Sequence, residues 1–65
     1  MGISERIQQI RIDNGLSQDQ FAEIFNVSRQ AVSNWETGKN LPDVKNLMKL
    51  SIRFGIPLDE LIKED

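Results

Sequence analysis

Apolar residues recur along the chain three or four positions apart, which is the spacing of one face of an α-helix. The first example is the set of Ile3, Ile7 and Ile10. No stretch alternates apolar and polar residues long enough to indicate a β-strand. The pattern therefore predicts an all-α protein of five short helices, at about residues 3–14, 17–26, 28–38, 42–54 and 58–63.

The second and third predicted helices each begin at a serine. Ser17 and Gln20 have the spacing of a capping box, and Ser28 can cap the next helix in the same way. Asn26 is one of the few residues other than glycine that tolerates a left-handed turn, so it can end the second helix. A connection of only Asn26 and Val27 predicts a sharp crossing of the two helices.

The fourth predicted helix carries two apolar stripes. Such a helix is typically buried by neighbours on several sides, so we expect a central helix here. The two stripes consist of Leu47, Leu50 and Phe54, and of Val44, Met48 and Ile52.

The length and composition exclude several classes of function. A length of 65 residues permits one domain, residues 1–65. The absence of Cys and His excludes a thiol nucleophile, an imidazole base and a Cys/His zinc site. No apolar run approaches a membrane span, and we expect a soluble intracellular protein that is not an enzyme. The net charge of −2 argues mildly against nucleic acid. However, residues 56–65 hold four acids against one lysine, so residues 1–55 carry a net charge of +1.

The outward face of the third helix carries the candidate chemistry. Its polar residues are spaced to lie opposite Val32 and Trp35, and they include no carboxylate. Asn and Gln can bond adenine, and Arg can bond guanine, through the major-groove edge of the base. An ordinary solvated face is the alternative interpretation of the pattern alone. The residues of this face are Arg29, Gln30, Ser33, Asn34 and Thr37.

The runs Leu16–Ala22 and Val27–Gly38 closely resemble the Cro/lambda-repressor-like (Xre-type) helix-turn-helix family. The resemblance extends over essentially the whole chain. It implies a compact five-helix bundle whose helix-turn-helix spans about residues 17–36. It also implies sequence-specific binding of double-stranded DNA by the third helix, in a transcriptional regulator expected to repress from a near-palindromic operator. The flanking residues that match are Ile7, Ile10, Arg11, Pro42, Leu47, Leu50 and Phe54–Leu61.

The resemblance also implies roles for single residues. Base reading falls to Arg29, Gln30, Ser33 and Asn34, although a long side chain near a helix start can hold phosphate instead. The positions of Gln18, Ser28, Lys39 and Asn40 match those that contact the DNA backbone, and Gln18 is also expected to brace the third helix. Ser28 can serve as a helix cap alone, and Lys39 can be simply solvated. Arg11 and Glu36 match a structural ion pair, and we expect it to join the first helix to the third.

The partner implied is double-stranded DNA, bound by a homodimer that forms at least on the DNA, in a bacterial or phage-type cytoplasm. No cofactor, metal, membrane or small-molecule ligand is expected. The chain departs from the family pattern at Asn26, where glycine is commoner, and at Pro57, where Ser or Thr is more frequent. A protein-interaction module that kept the fold without binding DNA is the alternative function. It predicts acidic or apolar residues on the outward face of the third helix, and none is present among Arg29, Gln30, Ser33, Asn34 and Thr37.

Overall fold

The computed structural model describes residues 2–63, and within that range it contains five α-helices and no strand. This confirms the predicted all-α, five-helix architecture. The helices are α1 (Ile3–Asp13), α2 (Gln18–Phe25), α3 (Arg29–Thr37), α4 (Val44–Phe54) and α5 (Leu58–Ile62). None of these helices is long and apolar enough to cross a membrane, since the longest has 11 residues.

Side-chain caps fix where α2 and α3 begin. The Gln20 backbone N–H donates to Ser17 Oγ at 3.1 Å, and the Ser17 N–H donates to Gln20 Oε1 at 2.8 Å, which confirms the capping box. Ser28 Oγ accepts from the Ala31 N–H at 3.0 Å. Asn26 ends α2 in the left-handed region with φ 54°, as the sequence predicts. Only residues 26–28 separate α2 from α3.

Every helix contributes one fully buried side chain to a single core. These side chains are Ile7, Phe21, Val32, Leu50 and Leu61. Aromatic rings pack beside them: the Phe21 and Phe25 centroids lie 4.9 Å apart, and the Trp35 ring meets Phe25 edge-on at 5.8 Å. Trp35 is therefore part of the core, as expected, and it is not available to stack on a base.

The prediction that α4 is buried on several sides was wrong. Of its apolar residues only Leu50 is buried, while Val44, Met48 and Ile52 are 70%, 51% and 78% exposed. Leu47 and Phe54 pack at the edge of the core. The physical reason is size, because a domain of about 60 residues buries only about 60% of its surface. The periodicity of the sequence shows that α4 has a second apolar stripe, but it does not show whether another helix packs against that stripe.

Candidate nucleic-acid interface

The two faces of α3 have opposite characters. Val32 and Trp35 are buried, while Arg29 and Gln30 are exposed and Ser33 and Asn34 are half-buried. The structure thus brings together the four residues expected to read bases. Because the connection from α2 is short and α2 packs closely on α3, this face cannot rotate away without disrupting Val32 and Trp35 in the core.

The two amides on this face are hydrogen-bonded to each other. Gln30 Nε2 donates to Asn34 Oδ1 at 3.1 Å, one helical turn away. This bond engages one of the two protons on Gln30 Nε2 and the side-chain oxygen of Asn34. Gln30 Oε1 therefore remains able to accept, and the Asn34 NH₂ group remains able to donate. The pair holds a fixed donor and acceptor at the surface of α3.

A polar cleft lies between the start of α2 and the face of α3. It has a volume of about 320 Å³ and is lined by Gln18, Arg29, Gln30 and Ser33. The family resemblance implied that Gln18 contacts the DNA backbone and that the other three residues read bases. The tertiary structure puts all four around one cleft.

A buried ion pair joins α1 to α3. Arg11 Nε donates to Glu36 Oε2 at 2.6 Å, and Arg11 Nη2 donates to Glu36 Oε1 at 3.2 Å. The Arg11 side chain is only 14% exposed and that of Glu36 only 3%. A two-pronged pair of this kind orients both groups, because the planar guanidinium matches the two carboxylate oxygens.

Two further hydrogen bonds extend this ion pair. Gln18 Nε2 donates to Glu36 Oε1 at 3.1 Å, which ties the first turn of α2 to α3. Arg11 Nη1 donates to the backbone carbonyl of Leu16 at 2.9 Å, which ties down the loop between α1 and α2. Glu36 is therefore the hub that fixes α1, α2 and α3 relative to one another. The sequence carried no signal for the Leu16 contact, since its acceptor is a backbone carbonyl that every residue has.

The remaining candidates lie at the two ends of α3. Ser28 Oγ caps the N-terminus and still has its own proton to donate. Lys39 and Asn40 are exposed after the C-terminus, and their backbone N–H groups both donate to the Asn34 carbonyl, at 3.0 and 3.3 Å. Gly38 makes this turn possible with φ 79°. Thr37 is exposed, as its place on the outward face predicts, and its hydroxyl donates back to the Ser33 carbonyl at 3.0 Å.

The charge of this region favours an anionic ligand. From residue 26 to residue 40 Glu36 is the one carboxylate in the sequence, and it is buried against Arg11. Arg29 and Lys39 are exposed at opposite ends of α3. The N-terminal end of the α3 helix dipole adds partial positive charge. The exposed face of α3 therefore presents no carboxylate of its own.

Comparison with known proteins finds helix-turn-helix regulators. A helix-turn-helix family model, HTH_3, matches residues 7–61. The chain is 42% identical over 62 residues to the HTH-type transcriptional activator BcrR of Enterococcus faecalis, covering 95% of this chain and 30% of that protein. It is 39% identical over 59 residues to the SPbeta prophage-derived HTH-type transcriptional regulator YonR of Bacillus subtilis, covering 91% of this chain and 55% of that protein. The chain thus spans about half or less of the length of these relatives.

A solved structure is similar over its whole length. The crystal structure of the P22 c2 repressor protein in complex with a synthetic operator superimposes with a TM-score of 0.88 at 31% sequence identity. The match covers 100% of this chain and 98% of that one.

Proposed function

The chain belongs to the HTH_3 helix-turn-helix family of transcriptional regulators, which is not a family of enzymes, and from this premise we propose that it binds operator DNA by inserting α3 into the major groove. The observation that carries the proposal is the outward face of α3. It presents amides, a hydroxyl and a guanidinium without any carboxylate, and the Glu36 hub holds it rigidly against α1 and α2.

The hydrogen-bonded amides supply the sequence discrimination. Adenine offers an acceptor at N7 and a donor at N6 in the major groove. The Asn34 NH₂ group can donate and Gln30 Oε1 can accept, so the pair has the complementary chemistry. Ser33 suits several bases, and Arg29 suits guanine or an adjacent phosphate. Because Gln30 and Asn34 already restrain each other, less side-chain freedom is lost when they bind.

Contacts to the DNA backbone come from the rim of the same face. Gln18 keeps a second amide proton after its bond to Glu36, and Ser28 keeps its hydroxyl proton. Lys39 and Asn40 lie at the other end of α3. Together these four residues hold the phosphates on both sides of the outward face of α3. Such contacts set the register of the domain on the DNA and carry no sequence information.

The proposal extends to a symmetric pair of domains and to repression. One module of this size buries about 600–1,000 Å² on DNA, which gives limited discrimination, and two copies on a near-palindrome remedy that. Repression is supported by the similarity to the P22 c2 repressor, which is matched over 98% of its chain. The activator BcrR, in contrast, is matched over only 30% of its length.

Salt dependence tests DNA binding itself. The probe is a duplex selected from a random pool, measured by fluorescence anisotropy at several salt concentrations. With Arg29 and Lys39 as the cations at the interface, the logarithm of the binding constant should fall with the logarithm of salt with a slope of about −2 per domain. Absence of salt-sensitive binding even at low ionic strength would contradict the proposal and favour the protein-interaction module.

Single alanine variants separate base readers from anchors. Gln30→Ala and Asn34→Ala should each lose about 1–3 kcal/mol on the selected site and relax preference at particular base pairs. Gln18→Ala and Lys39→Ala should weaken binding to selected and scrambled duplexes by the same factor. Equal behaviour of the two pairs on the two duplexes would show that the division of roles is wrong.

A further inference from the structure

The amide pair on α3 leaves two polar groups for a ligand. Gln30 Nε2 donates to Asn34 Oδ1 at 3.1 Å, which directs Gln30 Oε1 and the Asn34 NH₂ group elsewhere. Neither of these two groups makes a hydrogen bond to any other part of residues 2–63. The pair therefore offers a ligand an acceptor on Gln30 and a donor on Asn34, one helical turn apart.

Adenine offers a single proton to an acceptor of this kind. Its N6 amino group carries two protons, and one of them pairs with O4 of thymine inside the duplex. The other proton points into the major groove beside N7, and it is the only donor of adenine there. In the proposed contact Gln30 Oε1 accepts this proton, while the Asn34 NH₂ group donates to N7.

Methylation of N6 removes that proton from the groove. The methyl group takes the position beside N7, because the other N6 position must keep its proton for the pair with thymine. Gln30 Oε1 then faces a methyl group and loses its partner inside the interface. A polar group stranded in this way lowers affinity by roughly 5- to 150-fold.

The amide pair has no alternative arrangement that accommodates the methyl group. Turning the Gln30 amide over would direct Nε2 towards N6 and leave Asn34 Oδ1 without its donor. Swinging the Gln30 side chain aside would break the same bond. The helix cannot shift to compensate, since Val32 and Trp35 hold its inner side in the core.

The rest of the outward face of α3 provides no apolar contact for the methyl group. A protein that favours a methylated base does so with an apolar side chain against the methyl, as for thymine. The only methyl group on this face belongs to Thr37, about 10 Å along the helix from Gln30. The face consists of Arg29, Gln30, Ser33, Asn34 and Thr37.

We infer that this domain discriminates against N6-methyladenine through Gln30, so that methylation of adenine in its operator releases it from the DNA. This discrimination rests on the proposed function, because it requires that α3 read adenine in the major groove. The chemical state of the operator then controls its occupancy, and no small molecule has to bind the protein.

Single methylated adenines in the DNA test the discrimination. The probe is the duplex selected from a random pool, synthesised with N6-methyladenine at one adenine at a time. Fluorescence anisotropy at constant salt compares each duplex with the unmethylated one. Methylation of the contacted adenine should raise Kd by about fivefold or more. A methylated adenine in the flanking sequence is the control for effects of the modification on the duplex itself, and it should leave Kd unchanged.

Two variants assign the effect to Gln30. Gln30→Ala has no acceptor to strand, so its ratio of methylated to unmethylated Kd should fall to within about twofold of one. Lys39→Ala is the matched control, because it should weaken binding to every duplex by the same factor and so keep the original ratio. Circular dichroism checks that both variants are folded.

The outcomes separate this discrimination from DNA binding itself. Specific binding of the unmethylated duplex, with equal binding after methylation at each adenine in turn, would overturn the inference and leave the proposed function intact. A ratio in Gln30→Ala equal to that of the original chain would also overturn it, since another group would then sense the methyl. No salt-sensitive binding of the unmethylated duplex would instead overturn both.

Discussion

Replacing Arg11 by methionine should cost about 3–5 kcal/mol of unfolding free energy, because it leaves the buried Glu36 carboxylate without its counterion. The Glu36 side chain is 3% exposed, and its remaining side-chain partner would be the Gln18 amide. The Leu16 carbonyl would lose its donor as well. A 65-residue domain has roughly 3–10 kcal/mol of stability in total. The variant should therefore be partly unfolded at room temperature.

Urea denaturation followed by Trp35 fluorescence measures this loss. Arg53→Met is the matched control, since Arg53 is exposed on α4, and it should change stability by less than about 1 kcal/mol. A double variant with Arg11→Met and Glu36→Leu should recover much of the loss, because two apolar groups replace the stranded charge. A cost for Arg11→Met no larger than that of the control would mean that the pair behaves as a surface ion pair and that Glu36 is not the hub.

The second large effect concerns the reading face. Gln30→Glu should lower affinity for the selected operator by about 100-fold or more. The reason is that it places a negatively charged carboxylate close to the DNA phosphates and to the hydrogen-bond acceptor atoms of the bases. The new side chain is almost isosteric with the old one. However, it can no longer donate to Asn34 Oδ1, so the amide pair at 3.1 Å is lost as well.

Gln8→Glu provides the control for charge. Gln8 is exposed on α1, and its substitution gives the same net charge as Gln30→Glu. Its effect on affinity should be small, since the added charge lies outside the reading face. Fluorescence anisotropy with the same duplex and buffer compares the two variants. An equal loss of affinity in both would mean that total charge governs binding and that the position of Gln30 on α3 does not.

The helices and their ends were predictable because the forces that set them are local. A cap, a left-handed residue and an apolar period act over a few positions, so Ser17 with Gln20, Asn26 and Ser28 could be assigned from spacing alone. The inner face of α3 was predictable for the same reason, since Val32 and Trp35 lie one turn apart on one helix. The amides opposite them then had to face outward.

The second apolar stripe of α4 shows what a local sequence pattern cannot predict, which is whether a stripe is covered in the folded domain. Two stripes on one helix have the same appearance in a sequence whether a neighbour covers both or only one. Coverage depends on which helices are available at that point in space, and a domain of this size has too few. The exposure of Val44, Met48 and Ile52 could therefore not be inferred from periodicity.

By itself, then, the sequence determined the five helices, their caps and the polar character of the α3 face, because each depends on residues close together in the chain. Only the tertiary structure decided that the Leu16 carbonyl joins Gln18, Arg11 and Glu36 in one hub, and that nothing within residues 2–63 covers one side of α4. The Arg11–Glu36 and Gln18–Glu36 contacts join residues 25 and 18 positions apart. Such contacts depend on how whole helices pack, and no spacing along a single helix encodes them.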